Sequence, residues 1–183
     1  MENLYSARNS IYCYPGTSTL INKLDIHDSN KLFNLERQIV LAKSFILRQN
    51  VKNYGFDKQH FLGIHKFLFE DLYPFAGKTR TENISKGEFT FANWEFIDEQ
   101  LDYLLNKLKS ENYLEDLSKE DLSKRLAFYL SELNVLHPFR EGNGRTIREF
   151  IRELAYKNGY VLDLTKNSAK EIFDASVKSV YNT

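Results

Sequence analysis

The sequence predicts an all-α fold carrying one small β element. Three observations lead there: apolar residues recur at three- and four-residue steps through most of the chain, a single short stretch alternates like a strand, and only three prolines interrupt 183 residues. A chain of this length is read as one domain, residues 1–183, able to bury about 70% of its unfolded surface without disulfides or metals.

Residues 1–27 read as irregular, with a turn at Tyr14-Pro15-Gly16-Thr17. Asp28 or Ser29 then caps a helix running to about Asn50, with Leu32, Leu35, Ile39, Ala42 and Ile46 along one face. A second helix begins after Asp57 and turns Phe61, Ile64, Leu68 and Leu72 to one side. It ends before Pro74, and Gly77 closes the turn. Thr79 to Ile84 and Glu88 to Phe91, joined through Ser85-Lys86-Gly87, read as a hairpin over residues 79–91. Three helices follow: one near 94–109 carrying Phe96, Leu101, Leu104 and Leu105, one near 119–136 capped by Ser118, and one from about Asn143 to before Gly159. A last helix spans about 167–180.

Bulk properties exclude several classes. Basic and acidic residues balance at 25 each, which argues against a dedicated nucleic-acid binder, and no basic recognition helix supports a helix-turn-helix protein. No apolar run approaches the roughly 18 residues of a membrane span, and the first residues lack the apolar centre of a signal peptide. The single cysteine, Cys13, cannot form an internal disulfide, which fits a reducing compartment.

The chemistry concentrates in residues 137–148, His137-Pro138-Phe139-Arg140-Glu141-Gly142-Asn143-Gly144-Arg145-Thr146-Ile147-Arg148, which separate two helices. Pro138 disfavours a helical backbone at His137. Gly142, Asn143 and Gly144 form a turn leading into a helix start, whose unpaired N–H groups suit phosphate oxygens. Arg145 and Arg148, three apart, share a helix face where two cations call for an anion. Glu141 offers a hard oxygen suited to Mg²⁺, and His137 can accept a proton near neutral pH. Together these are the parts that phosphoryl or nucleotidyl transfer requires.

The segment resembles the signature of the Fic (filamentation induced by cAMP) family, His-x-Phe-x-(Asp/Glu)-Gly-Asn-Gly-Arg-x-x-Arg, with every fixed position met. Chance recurrence is on the order of one in ten billion per starting residue under uniform composition. Asn83-Ile84-Ser85-Lys86-Gly87 with Phe89 and Phe91 is similar to that family's flap, and Tyr14-Pro15-Gly16-Thr17 with Leu20 to Leu24 is similar to bacterial members related to type IV secretion effectors.

The resemblance implies a helical bundle with a hairpin flap over the active site, and a protein adenylyltransferase that moves AMP from ATP to a Ser, Thr or Tyr hydroxyl. His137 would be the base and Glu141 would hold Mg²⁺. Gly142, Asn143 (side chain included) and Gly144 would cradle the phosphates, with Arg145 on the β- and Arg148 on the γ-phosphate. Phe139 would pack in the core. The flap residues Ile84, Ser85, Lys86, Gly87 and Phe89 would hold an extended segment of the target protein. Transfer of UMP, GMP, phosphate or phosphocholine is the alternative, with a non-catalytic binding module behind it; the kinase-like branch carries Lys where this chain has Gly144.

Many members of that family restrain themselves with a (Ser/Thr)-x-x-x-Glu helix. No glutamate here has Ser or Thr four residues earlier. A separate small antitoxin supplying a glutamate to Arg148 is therefore expected, or else a brake in a missing C-terminal part. The resemblance places the protein in the bacterial cytoplasm, or in a host cell if it is an injected effector.

Overall fold

The structure is a computed structural model that describes residues 10–49, 55–87 and 89–163 together with Glu171 and Ala175. Within these residues the helices are α1 (Ser29–Gln49), α2 (Lys58–Phe69), α3 (Ile97–Ser110), α4 (Lys119–Leu136) and α5 (Asn143–Lys157), and the strands are β1 (Ser85–Lys86) and β2 (Phe89–Thr90). The fold is all-α with one small hairpin. The helix expected over 167–180 lies outside the described residues except at Glu171 and Ala175.

Local chemistry sets the boundaries. Asp28 Oδ1 accepts the Lys31 N–H at 2.9 Å, Asp57 Oδ1 that of His60 at 2.8 Å, and Ser118 Oγ that of Asp121 at 3.1 Å, so α1, α2 and α4 each start on a capping side chain. The turn at Tyr14 closes through the Thr17 N–H to the Tyr14 carbonyl, 3.0 Å. At the end of α4, His137 takes φ 48°, a left-handed cap that Pro138 favours by removing the right-handed helical option.

Helix α5 packs against α4 and α2, and α1 packs on α2. Phe61, Leu68, Phe69, Tyr129, Leu133, Phe139, Phe150 and Leu154 are sealed inside this arrangement. Phe139 stacks between Phe61 and His65, with centroid distances of 5.5 and 3.8 Å. Its expected place in the core is confirmed.

Three details differ from the sequence expectation. The inner face of α1 is Leu32, Glu36 and Val40, while Ala42 is exposed and Ile46 is 48% exposed. An acid with buried partners turns the helix away from its apolar stripe. Phe96 is 54% exposed, because Trp94–Phe96 form a separate 3-10 turn before α3. Among the described residues the ladder pairs Ser85 with Thr90 and Lys86 with Phe89, and the Phe91 N–H donates to the Ile84 carbonyl at 3.2 Å. Ladder pairing stops short of Thr79 because the buried Arg80 guanidinium sits between the arms, donating to the Glu82 and Ala92 carbonyls.

Candidate active site

The loop between α4 and α5 gathers the site. His137 Nδ1 lies 3.0 Å from the Asn134 carbonyl, which places the ring proton on Nδ1 and makes Nε2 the basic nitrogen. Phe91, at the end of the hairpin, stacks on the imidazole at 3.8 Å. Arg80 Nε donates to the His137 carbonyl at 2.9 Å. One buried cation therefore ties both hairpin arms to the left-handed corner that carries His137.

The α5 start is built from Gly142 at φ 81°. Thr146 is the first residue to donate back into the turn, to the Gly142 carbonyl at 3.1 Å. The N–H groups of Asn143, Gly144 and Arg145 precede it and have no acceptor among the described residues. Asn143 departs from the expectation: its Oδ1 accepts the Phe139 N–H at 2.8 Å and its Nδ2 donates to the Phe139 carbonyl at 2.6 Å, fully buried. The side chain closes the loop, which leaves only the backbone N–H of Asn143 without an acceptor among the described residues.

Arg148 makes no hydrogen bond or ion pair among the described residues. Burial and the neighbouring Arg145 lower its pKa, against a weak attraction from Glu149. A partly desolvated cation beside N–H groups without acceptors among the described residues is chemically suited to an anion. The guanidinium hangs over Gly144, where an added Cβ would lie 3.0 Å from Arg148 Nη1. Gly144→Ala is therefore expected to keep the fold, since Gly144 is helical, but to displace Arg148 and weaken ATP binding by about tenfold; calorimetric titration checks this, and unchanged affinity would argue against a phosphate at Arg148.

Glu141 Oε1 accepts the Gly142 N–H at 2.9 Å and lies 3.4 Å from Arg145 Nη2. Burial and the charge of Glu36 push its carboxyl pKa up, against Arg145. A carboxylate at a helix start whose N–H groups lack acceptors among the described residues is chemically suited to Mg²⁺, which takes one or two carboxylates and completes its shell with phosphate oxygens and water.

Sequence reasoning missed four contributors: Arg80, His65, Glu36 and Tyr73. His65 accepts the Gly77 N–H on Nδ1 at 2.8 Å and donates from Nε2 to the Glu141 carbonyl at 3.0 Å, holding the loop from below. Glu36 was visible as the one acid in a Leu32, Glu36, Val40 spacing. Of the flap residues, Ile84 is 1% exposed and anchors the hairpin instead of offering a side chain, whereas Ser85, Lys86 and Phe89 are half-buried and Gly87 is exposed.

Burial keeps the His137 and His65 rings neutral. Burial lowers His137 to about 3, outweighing its Asn134 bond, and lowers His65 to about 4. The unfolded chain binds a proton at each near pH 6.5, and the folded chain does so only at about pH 4 and below. The unfolded state thus holds more protons in that window, and these two sites together remove about 4 kcal/mol of stability by about pH 5. Their NMR resonances are expected to remain those of neutral rings from pH 8 to 5; either ring titrating near 6.5 would contradict the burial argument.

A family model described as Fic/DOC matches residues 55–155, more than half of the chain. This chain belongs to the Fic/DOC family. This Fic protein is 39% identical to the protein adenylyltransferase VbhT of Bartonella schoenbuchensis over 97% of its own length but spans only 37% of that relative. It is 35% identical to the probable protein adenylyltransferase y4lH of Sinorhizobium fredii, covering 96% of this chain and 90% of the other. Its structure superposes on BepC of Bartonella tribocorum, a VirB-translocated effector solved with bound AMPPNP, with a TM-score of 0.87 at 28% identity, covering 92% of this chain and 87% of that one.

Proposed function

We propose that this Fic protein is a protein adenylyltransferase, with residues 1–183 acting as one catalytic domain. The supporting observation is the α5 start: three N–H groups and Arg148 lack acidic or carbonyl partners among the described residues, next to a neutral imidazole. The adenylyltransferase names of the relatives and the AMPPNP bound by BepC support the same reading.

ATP lies with its phosphates along Gly142, Asn143 and Gly144, the β-phosphate on Arg145 and the γ-phosphate on Arg148. Glu141 would hold Mg²⁺, which would supply positive charge to the triphosphate. A Ser, Thr or Tyr hydroxyl of the target attacks the α-phosphorus while its proton passes to His137 Nε2. The bond from that phosphorus to the bridging oxygen breaks, and pyrophosphate leaves. Seating the anionic triphosphate raises the basicity of His137 from its depressed resting value. The target strand pairs along the edge of β1, where Lys86 and Phe89 flank it and Phe91 fixes the hairpin to the base.

An Arg148 without a hydrogen bond or ion pair among the described residues, and a sequence without the (Ser/Thr)-x-x-x-Glu pattern, support a separate antitoxin that supplies a glutamate. The reading places the protein in a bacterial cytoplasm, or in a host cell if it is injected like BepC. The test is to supply all four nucleoside triphosphates with Mg²⁺ and a cell lysate, and to read modified peptides by mass spectrometry. Gain of one AMP on a hydroxyl side chain is expected; gain of phosphate, UMP or GMP would replace this reading.

A further inference from the structure

We propose that Glu36, reaching in from α1, is a positioning residue for Arg145: it holds one edge of the guanidinium so that the other edge grips the β-phosphate. This rests on the nucleotide reading above and adds an element to it, since α1 lies outside the residues 55–155 that the family model matches.

Glu36 is 5% exposed, and both of its carboxylate oxygens are used. Oε1 lies 2.6 Å from Arg145 Nη2, and Oε2 accepts the Tyr73 hydroxyl. Glu141 meets the same nitrogen, Nη2, at 3.4 Å. Nε and Nη1 of Arg145 therefore keep their donors for a ligand, with no acceptor among the described residues. The Phe69 ring, 4.7 Å from the guanidinium carbon, supports the group from its face. An edge contact and a face contact together fix the guanidinium plane, which a planar, bidentate grip on phosphate requires.

Charge gives Glu36 a second reason to be there. Two carboxylates on one guanidinium exceed what charge balance needs in the free protein. Once Glu141 turns to a cation, Glu36 remains as the counter-charge that keeps Arg145 aimed. This differs from an inhibitory pairing, because the acid occupies Nη2 alone and leaves Arg148 untouched.

The test is calorimetric titration of ADP and AMP, with Mg²⁺, into the wild type, Glu36→Gln and Tyr73→Phe. AMP lacks the β-phosphate, so a general structural loss would weaken both ligands, whereas lost aim weakens only ADP. Glu36→Gln is expected to raise the ADP dissociation constant about tenfold and leave that of AMP within about twofold. Tyr73→Phe, which keeps the Glu36 charge and removes only its support, should weaken ADP about threefold. In an Arg145→Ala background Glu36→Gln should change nothing further. ADP binding unchanged by Glu36→Gln, AMP weakened equally, or an additive effect on Arg145→Ala would overturn the role of Glu36. A wild type that binds ADP no better than AMP would overturn the nucleotide reading itself, and this proposal with it.

Discussion

Replacing His137 with alanine is expected to lower AMP transfer by about a hundred- to ten-thousand-fold, the usual contribution of a positioned general base, while ATP still binds. The imidazole sits at the end of α4 with its proton fixed on Nδ1 by the Asn134 carbonyl, and Phe91 prevents the ring from turning away. Nothing else in residues 137–148 can accept a proton without giving up another role. Backbone conformation complicates the alanine variant, because His137 is left-handed at φ 48° and alanine is strained there. His137→Asn answers that concern, since asparagine tolerates this conformation and is a poor base. Both variants should lose transfer and keep ATP affinity; transfer retained by both would remove His137 from the chemistry.

Gly142→Ala is expected to cost about 3 kcal/mol or more and to dismantle the phosphate cradle. A Cβ at Gly142 would lie 2.3 Å from the Phe69 ring, and the φ of 81° adds strain of its own. Phe69 cannot move aside: it is fully buried, 4.8 Å from the His65 ring, and lies under the Arg145 guanidinium. Gly87, in the hairpin turn, provides the control. Its φ is 62°, yet nothing lies within 4 Å of an added Cβ, so Gly87→Ala should cost only about 1 kcal/mol from backbone strain. Urea unfolding of both variants separates collision from strain. Equal costs would mean that Phe69 does not pack against the loop as described.

Much of this was legible in the sequence because its causes are local. Asp57 and Ser118 announce helix starts by their own side chains, and Pro138 announces the break after α4. The helix start whose N–H groups lack acceptors among the described residues could be read from the glycine spacing because those groups belong to consecutive residues. Buried polar residues were harder, since in sequence they look like surface ones. Glu36 meets Arg145 across more than a hundred residues, and Arg80 meets the His137 carbonyl across 57. The expected apolar stripe of α1 was off by one residue because it counted Leu35 and Ile39 and passed over the acid between Leu32 and Val40. The Asn143 side chain, expected on the phosphates, instead matches both backbone groups of Phe139, a pairing that spacing alone does not reveal.

The most direct measurement is transfer of label to protein from ATP labelled at either the α- or the γ-phosphate, with Mg²⁺, a cell lysate and His137→Ala as control. Label carried from the α position but not the γ, and lost in the variant, is the predicted result. Label carried from the γ position alone would mean phosphate transfer and would contradict the central claim.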